Sequence, residues 1–384
     1  MEFALSEEQT LLRDSVRRFV AEAHDFGRGR ALAQTEEGFS RAHWVSFAEL
    51  GWLALLVPET MHGLGGKSED AAILMEELGR GLLAAPYLST AVLGADLIVE
   101  SQLAERLELL EQLMAGTLLV AVATEESHSR YDLAAVNTTA RRDSAGAFLL
   151  SGRKIMVLDG AAADGFIVSA RFGDETGSGD IALFWVPADT AGLEIRRYRT
   201  IDDRRACDLG LDQVRLPAAA LLAGPECGLA HLGKAMDRAR VLMAAEAIGA
   251  MDSAIEMTAE YLRTRHQFGR ALASFQVLAH RLSDMFVKLE NARSMLFRGL
   301  AMLDAPADVR AAAVSATMIT IIQAGEFVTG QAIQLHGGIG MADESPVGHY
   351  YKRLRAIGKT FGDLSWHMNR YLRITSHSSA QGAA

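Results

Sequence analysis

The chain has 384 residues, is 49% hydrophobic and 22% charged, and carries a formal net charge of −10. That length allows two or three packed units with a sizeable core, and the acidic balance argues against nonspecific nucleic-acid binding. The two cysteines, Cys207 and Cys227, show neither a disulfide framework nor metal-ligand spacing, so a cytoplasmic protein without a metal site is expected. The opening Met1-Glu2-Phe3-Ala4-Leu5 has no basic n-region followed by an apolar h-region, so it does not read as a signal peptide. The longest uncharged apolar-leaning run, Ala311 to Gly325, is too short and too polar to span a bilayer, and no membrane insertion is expected.

The first segment, residues 1–117, reads as helical. Ser6 and Gln9 fit a capping box ahead of Leu11, Leu12, Val16, Phe19 and Val20, which recur at helical spacing. Further periodic runs cover Trp44 to Leu56, Asp70 to Leu83 and Ser89 to Leu113, punctuated by Pro58 and Pro86. Residues 118–226 change character. Short runs at Leu118–Thr124, Phe148–Leu158, Phe166–Ala170, Ile181–Val186 and Leu193–Tyr198, broken by Gly- and Asp-rich turns, predict an all-β barrel or sandwich. Gly173 to Gly179 reads as a polar loop. Helical periodicity returns over residues 227–375, with long helices predicted at Leu229–Thr264, Gln276–Leu303 and Ala305–Gly330. Short connections between long helices predict an antiparallel bundle. Residues 376–384 read as a disordered tail. The fold class is therefore α+β and mainly α.

Two C-terminal stretches carry chemistry. The first is Tyr261-Leu-Arg-Thr-Arg265-His-Gln-Phe268-Gly-Arg, followed by Phe275-Gln276. An arginine at a helix exit is ordinarily a solvated residue, but its planar fork also suits a pyrophosphate. The second is Gln331-Ala-Ile-Gln334-Leu-His336-Gly337-Gly338-Ile-Gly340. Paired glycines let backbone approach a ligand closely, and they serve equally as a helix C-cap. Among carboxylates, Glu246 stands in the apolar run Val241 to Met251, where it is either a structural ion pair or a buried base.

Together these stretches resemble the C-terminal signatures of the acyl-CoA dehydrogenase family, whose domain order is also helical, β, helical, ending in a four-helix bundle. The resemblance spans nearly the whole chain. It implies FAD as cofactor, an acyl-CoA substrate and an electron-transferring flavoprotein as electron acceptor. Carried over residue by residue, it places Arg265, Phe268, Gln276, Gln334, Gly337 and Gly338 at the adenosine and pyrophosphate end of the flavin, reached from a neighbouring subunit. Thr124 falls at the cofactor-facing end of the first β run.

Other family elements do not match. Where relatives read Thr-Glu-Pro-x-x-Gly-Ser-Asp, this chain reads Thr124-Glu125-Glu126-Ser127-His128-Ser129-Arg130-Tyr131. Where they carry Trp-Ile-Thr/Ser-Asn, it has Met156-Val157-Leu158-Asp159, and Leu158 offers no hydrogen bond to a flavin edge. The two usual positions of the catalytic glutamate correspond to Phe361 and Ala239. Glu246, two helical turns beyond Ala239, is the best substitute, with Asp363 ranked below it.

The ending Tyr350-Tyr351-Lys352-Arg353-Leu354 with Phe361-Gly362-Asp363, and Met75 to Gly81 near the start, resemble a bacterial branch of two-subunit enzymes. That branch includes the small subunit of pimeloyl-CoA dehydrogenase and the partner subunits of steroid side-chain acyl-CoA dehydrogenases. The resemblance implies a partner subunit in a heterotetramer. The alternatives are a self-sufficient homo-oligomer with Glu246 as displaced base, and other flavin chemistry or a binding scaffold on the same fold.

Overall fold

The structure is a computed structural model that describes residues 4–173 and 180–381, with 377–381 as helix backbone only. The expected loop at Gly173–Gly179 therefore lies, beyond Gly173, outside the described residues.

The N-terminal helices are α1 (Glu7–Ala23), α2 (Phe26–Ala33), α3 (Arg41–Glu49), α4 (Ser68–Arg80), α5 (Ala95–Val99) and α6 (Arg106–Met114). The capping box forms as expected: Gln9 N–H donates to Ser6 Oγ at 3.1 Å, and Ser6 N–H donates to Gln9 Oε1 at 3.2 Å. The expected helical run from Ser89 to Leu113 is not continuous. It opens as a π-helical turn over Tyr87–Gly94 with all eight residues buried, continues as α5, and breaks before α6. Such wide turns are rare in helices.

The strands are β1 (Val120–Ala123), β2 (Thr139–Arg142), β3 (Phe148–Leu158), β4 (Gly165–Phe172), β5 (Asp180–Pro187), β6 (Leu193–Arg199), β7 (Arg205–Leu216) and β8 (Leu221–Ala223). They form one sheet in the order β6-β7-β3-β2-β4-β5-β8, with β1 pairing in parallel on β4. Its core holds Phe148, Phe166, Phe184, Leu150, Val168 and Leu209, with Phe148 edge-on to Phe184 at 5.0 Å. Strand β3 carries register breaks between Leu150 and Gly152 and between Lys154 and Val157. These bulges re-aim its far end.

The C-terminal elements are α7 (Gly228–Thr264), the two-residue strands β9 (His266–Gln267) and β10 (Arg270–Ala271), α8 (Gln276–Ala301), α9 (Ala307–His336), α10 (Pro346–Ile357) and α11 (Leu364–Gln381). Helix α11 runs past Ser376, where the tail was expected to begin; residues 382–384 lie outside the described residues. Helix α9 packs on α8, α10 and α11. With its following turn (Ala307–Met341) it is long and apolar enough by length and composition to cross a membrane, with an 18-residue window at a mean hydropathy of 1.4. This corrects the shorter span read from sequence: neither Gly325 nor Gly330 interrupts the helix. Of that window 56% is buried inside the structure, as befits the central helix of a bundle.

By compactness the chain divides into two units. The helical unit comprises Met1–Arg30, Ser68–Leu83 and Arg240–Ala384; the sheet unit comprises Ala31–Lys67 and Ala84–Ala239. Within the helical unit α4 and α7 cross closely at glycines. A Cβ on Gly79 or Gly249 would run into the facing backbone carbonyl of Glu246 or Glu76.

Candidate functional site

In the helical unit, α7 closes with Arg265 N–H donating to Tyr261 O at 2.9 Å. Strands β9 and β10 then form a tight hairpin around Phe268 (φ 53°) and Gly269 (φ 78°). Two successive positive φ values match the right-handed twist of a two-residue hairpin, at a steric cost for phenylalanine. Leu272 N–H closes the base on Arg265 O at 2.8 Å, and Phe275 and Gln276 open α8. Arg265 and Gln276 are exposed, and the Arg265 side chain makes no hydrogen bond or ion pair among the described residues.

The second stretch ends α9. Gly337 adopts φ 64° and its N–H donates to the Gln334 and Ile333 carbonyls. The want of a side chain at Gly338 has no cause inside the chain, since a Cβ there would meet no atom within 4 Å. His336 stacks on Tyr261 at 4.5 Å and 22°, and its Nδ1 lies 2.8 Å from Ala332 O. Burial pushes its pKa down, so it is held neutral as a stacking platform. This stack fastens the Arg265 hairpin and the Gly337-Gly338 turn to one end of the helical unit. A pyrophosphate and nucleoside fit that end: a spare guanidinium, an amide side chain from each of Gln276 and Gln334, and an unobstructed glycine turn.

Of the two roles open to Glu246, the structure shows the ion pair. Glu246 is buried, 2% exposed, but it is not placed as a base. Arg353 grips it with Nε on Oε1 at 2.8 Å and Nη2 on Oε2 at 2.7 Å. A bidentate guanidinium engages both carboxylate oxygens, so neither is left to take a proton from a substrate. Asp363 caps α11 through Oδ1, which accepts from Trp366 N–H at 2.9 Å. Phe361 stands at φ 58°, its carbonyl accepting from Arg240 Nε at 2.8 Å. Ala239 is buried and carries no functional group.

Next to that loop, His367 is fully buried, with Nε2 lacking a hydrogen-bond partner among the described residues and Nδ1 3.5 Å from Ser315 Oγ. Burial, helped by the charges of Arg240 and Arg370, pushes its pKa down to about 2. The folded state therefore stays deprotonated here while the unfolded chain takes up a proton below its ordinary value. The stability His367 provides is present above that value and is lost as pH falls from there toward 2. Asp96 of the sheet unit acts oppositely. Burial pushes its pKa up to about 6 against the pull of Arg238, so its protonation favours folding as pH drops. The comparison that isolates His367 is thus the loss between pH 7 and 5 in wild type minus that in His367→Gln. It should be about 2 kcal/mol, from roughly 1.4 kcal/mol per pH unit. Equal losses in denaturant melts would refute it.

In the sheet unit, Thr124 is buried just beyond β1, and its carbonyl lies 3.4 Å from Lys154 Nζ. A network that sequence reading missed fills the space beside it. Lys154, fully buried on β3, donates to Glu126 Oε1 at 2.7 Å and to Ser169 Oγ at 3.1 Å. Glu126 also accepts from Thr138 N–H and Oγ1 and from Asn137 N–H. The signal was available: an acid stands where relatives have proline, and a lysine interrupts an apolar strand. The following loop turns through Arg130 (φ 43°) and Tyr131 (φ 69°). At the β3 bulge Met156 has φ 52°, and its N–H is taken by Tyr198 Oη at 3.1 Å and Asp208 Oδ1 at 3.3 Å. Leu158 ends the strand without a side-chain donor. Asp159 after it (φ 56°) accepts from Ser89 Oγ at 2.6 Å. These residues do not fit the ring end of a flavin.

Comparison with known proteins decides the family. Three domain profiles match in order: Acyl-CoA dehydrogenase, N-terminal domain over residues 6–130, middle domain over 121–214 and C-terminal domain over 226–372. A variant of the Tcur3481-Tcur3483 steroid ACAD superposes with a TM-score of 0.87 at 31% identity, covering 97% of this chain and 99% of that one. The chain belongs to the acyl-CoA dehydrogenase family. Acyl-CoA dehydrogenase IpdE2 of Mycolicibacterium smegmatis is 29% identical over 361 residues, 93% of this chain and 96% of its own. The ChsE4-ChsE5 complex from Mycobacterium tuberculosis superposes with a TM-score of 0.86 at 25% identity, over 98% of this chain and 99% of that one. Acyl-CoA dehydrogenases are FAD-dependent oxidoreductases, and the helical, sheet, helical order expected from sequence is the fold observed.

Proposed function

We propose that this chain is the partner subunit of a heteromeric acyl-CoA dehydrogenase, supplying the adenosine and pyrophosphate end of a flavin whose ring lies in a second, unlike subunit. When bound, FAD supplies the hydride acceptor for α,β-dehydrogenation of an acyl-CoA thioester. Arg265 would donate to the pyrophosphate, Gln276 and Gln334 would bond its neighbouring atoms, and Gly337 and Gly338 would leave room for the nucleoside. Phe268 would close the edge of that site. The base and the flavin N5 contact would come from the other subunit.

The observation that carries this reading is Glu246 locked to Arg353. With that carboxylate spent, Asp363 capping a helix, and Phe361 and Ala239 at the usual positions, this chain presents no base of its own at any of the four places considered. Support also comes from two similar structures whose names give paired components, Tcur3481-Tcur3483 and ChsE4-ChsE5. The first of these is named a steroid ACAD, which favours a bulky, ring-bearing acyl group for the assembly. The test is bound flavin per chain, measured for this chain alone and for its mixed assembly.

Within that assembly, Arg265→Ala is expected to remove a charge-assisted contact of about 1.5–3 kcal/mol, weakening flavin binding roughly 10- to 150-fold. The melting curve should barely move, because Arg265 is exposed and holds nothing else in the chain. Flavin titration with an unchanged dissociation constant would remove Arg265 from the site.

A further inference from the structure

The N-terminal helix is thinly packed. Of the 17 residues of α1 only Val16 is buried. Polar links hold it to α4 instead: Arg17 Nη2 donates to Glu77 Oε1 at 2.6 Å, and Gln9 Nε2 donates to Asp70 Oδ1 at 2.9 Å. Beside those links lies a cavity of about 360 Å³. It is bounded by α1, α4, Asp252 of α7 and the far half of α8, all within the helical unit. Small-molecule sites begin at about 300 Å³. At the volume share of liquid water the space takes roughly ten to twelve heavy atoms.

The cavity has two chemically different sides. Ile73, Leu296, Phe297 and Leu300 make one side apolar. Water finds no hydrogen-bond partners on such a wall. The other side is charged, with four carboxylates against three guanidinium groups. All three guanidinium groups are engaged: Arg13 beside Asp14 at 3.4 Å, Arg17 on Glu77, and Arg293 on Glu76 at 2.6 Å. The carboxylates are not all so answered. Glu69 is half-buried and has no hydrogen bond or ion pair among the described residues. Glu76 receives Arg293 on Oε1, yet burial still pushes its carboxyl above the ordinary range. An acid in the first turn of a helix serves the helix dipole without a partner, so Glu69 alone would decide nothing. Beside an apolar wall and a desolvated second carboxylate, it leaves both room and charge for a cation with a tail.

We propose that this cavity binds a small cationic amphiphile, an alkylammonium with a tail of roughly eight carbons. Its head group sits on Glu69, within the field of Glu76, and its tail lies along Leu296 and Leu300. A fatty acid is the poorer match, because its carboxylate would meet four others and no unengaged guanidinium. The site does not depend on the partner-subunit reading, since every residue in it belongs to the helical unit of this chain. Its occupant supplies the packing that α1 lacks and so favours the folded state.

The test titrates n-octylammonium chloride into the full-length chain by calorimetry, with octanoate and octanol as controls. Saturable binding of one octylammonium per chain is expected, at least about tenfold tighter than either control. Glu69→Gln should weaken it about tenfold with the melting curve nearly unmoved, because Glu69 holds no other group in place. Ile73→Trp, which fills the apolar side, should abolish binding; Glu69→Gln carries the test if that variant does not fold. Hydrogen exchange fixes the place: octylammonium should slow the amides of α1 and of the first turns of α4. Octanoate or octanol binding as tightly, no saturable binding below about 10 mM, or an unchanged affinity in Glu69→Gln would overturn the site. So would protection confined to elements other than α1 and α4.

Discussion

Purified alone, the chain is expected to hold little flavin, and co-produced with its unlike partner it should carry about one flavin per pair of chains. The reason is the division of contacts. The helical unit offers an unspent guanidinium and an open glycine turn. In the sheet unit the Met156 N–H is already taken by Tyr198 and Asp208, and the Leu158 side chain offers no donor. Each 1.4 kcal/mol of lost contact is tenfold in affinity, so forfeiting about 4 kcal/mol at the ring weakens retention roughly a thousandfold. Absorbance of flavin released from known protein gives the ratio directly. One flavin per chain in the isolated protein, reduced on adding an acyl-CoA, would end the partner-subunit reading.

The second large effect concerns the Glu246–Arg353 pair. Replacing Arg353 with Met leaves a carboxylate stranded in an apolar helix crossing, which should cost about 3–5 kcal/mol. For a protein of this size that lowers Tm by roughly 4–6 °C. The double variant Glu246→Gln/Arg353→Met should recover much of the loss, because no buried charge remains. In the mixed assembly, Glu246→Gln should leave the single-turnover rate of flavin bleaching per folded complex unchanged. A drop by orders of magnitude in that rate would restore Glu246 as a base and remove the argument that this chain has none.

Much of the fold is legible in the sequence because its longest elements obey one period without interruption. Helix α7 was expected from Leu229 and begins at Gly228; strand β3 was expected over Phe148–Leu158 and occupies that span. What was missed is instructive. Strand β7 alternates through Cys207, Leu209 and Leu211 and again through Val214 and Leu216, but Gln213 (φ 49°) shifts the phase and the intervening acids disguise it. At the candidate site, sequence marks Glu246 as buried yet cannot choose between base and ion pair. That choice depends on Arg353, 107 positions away, and only packing brings the two together. The Tyr261–His336 stack is invisible for the same reason.

The bulge at Met156 bears on how such a subunit could regain independence. Restoring a hydroxyl by Leu158→Thr changes one side chain. It does not move the backbone N–H committed to Tyr198 and Asp208, free Asp159 from Ser89, or exchange the Glu126–Lys154 anchor for a compact loop. Each of those changes alone removes a satisfied contact before any new one is gained. On the reading proposed, dependence on the second subunit then works as an evolutionary ratchet: reversion has no stepwise path of improving intermediates, and the two genes should be inherited together.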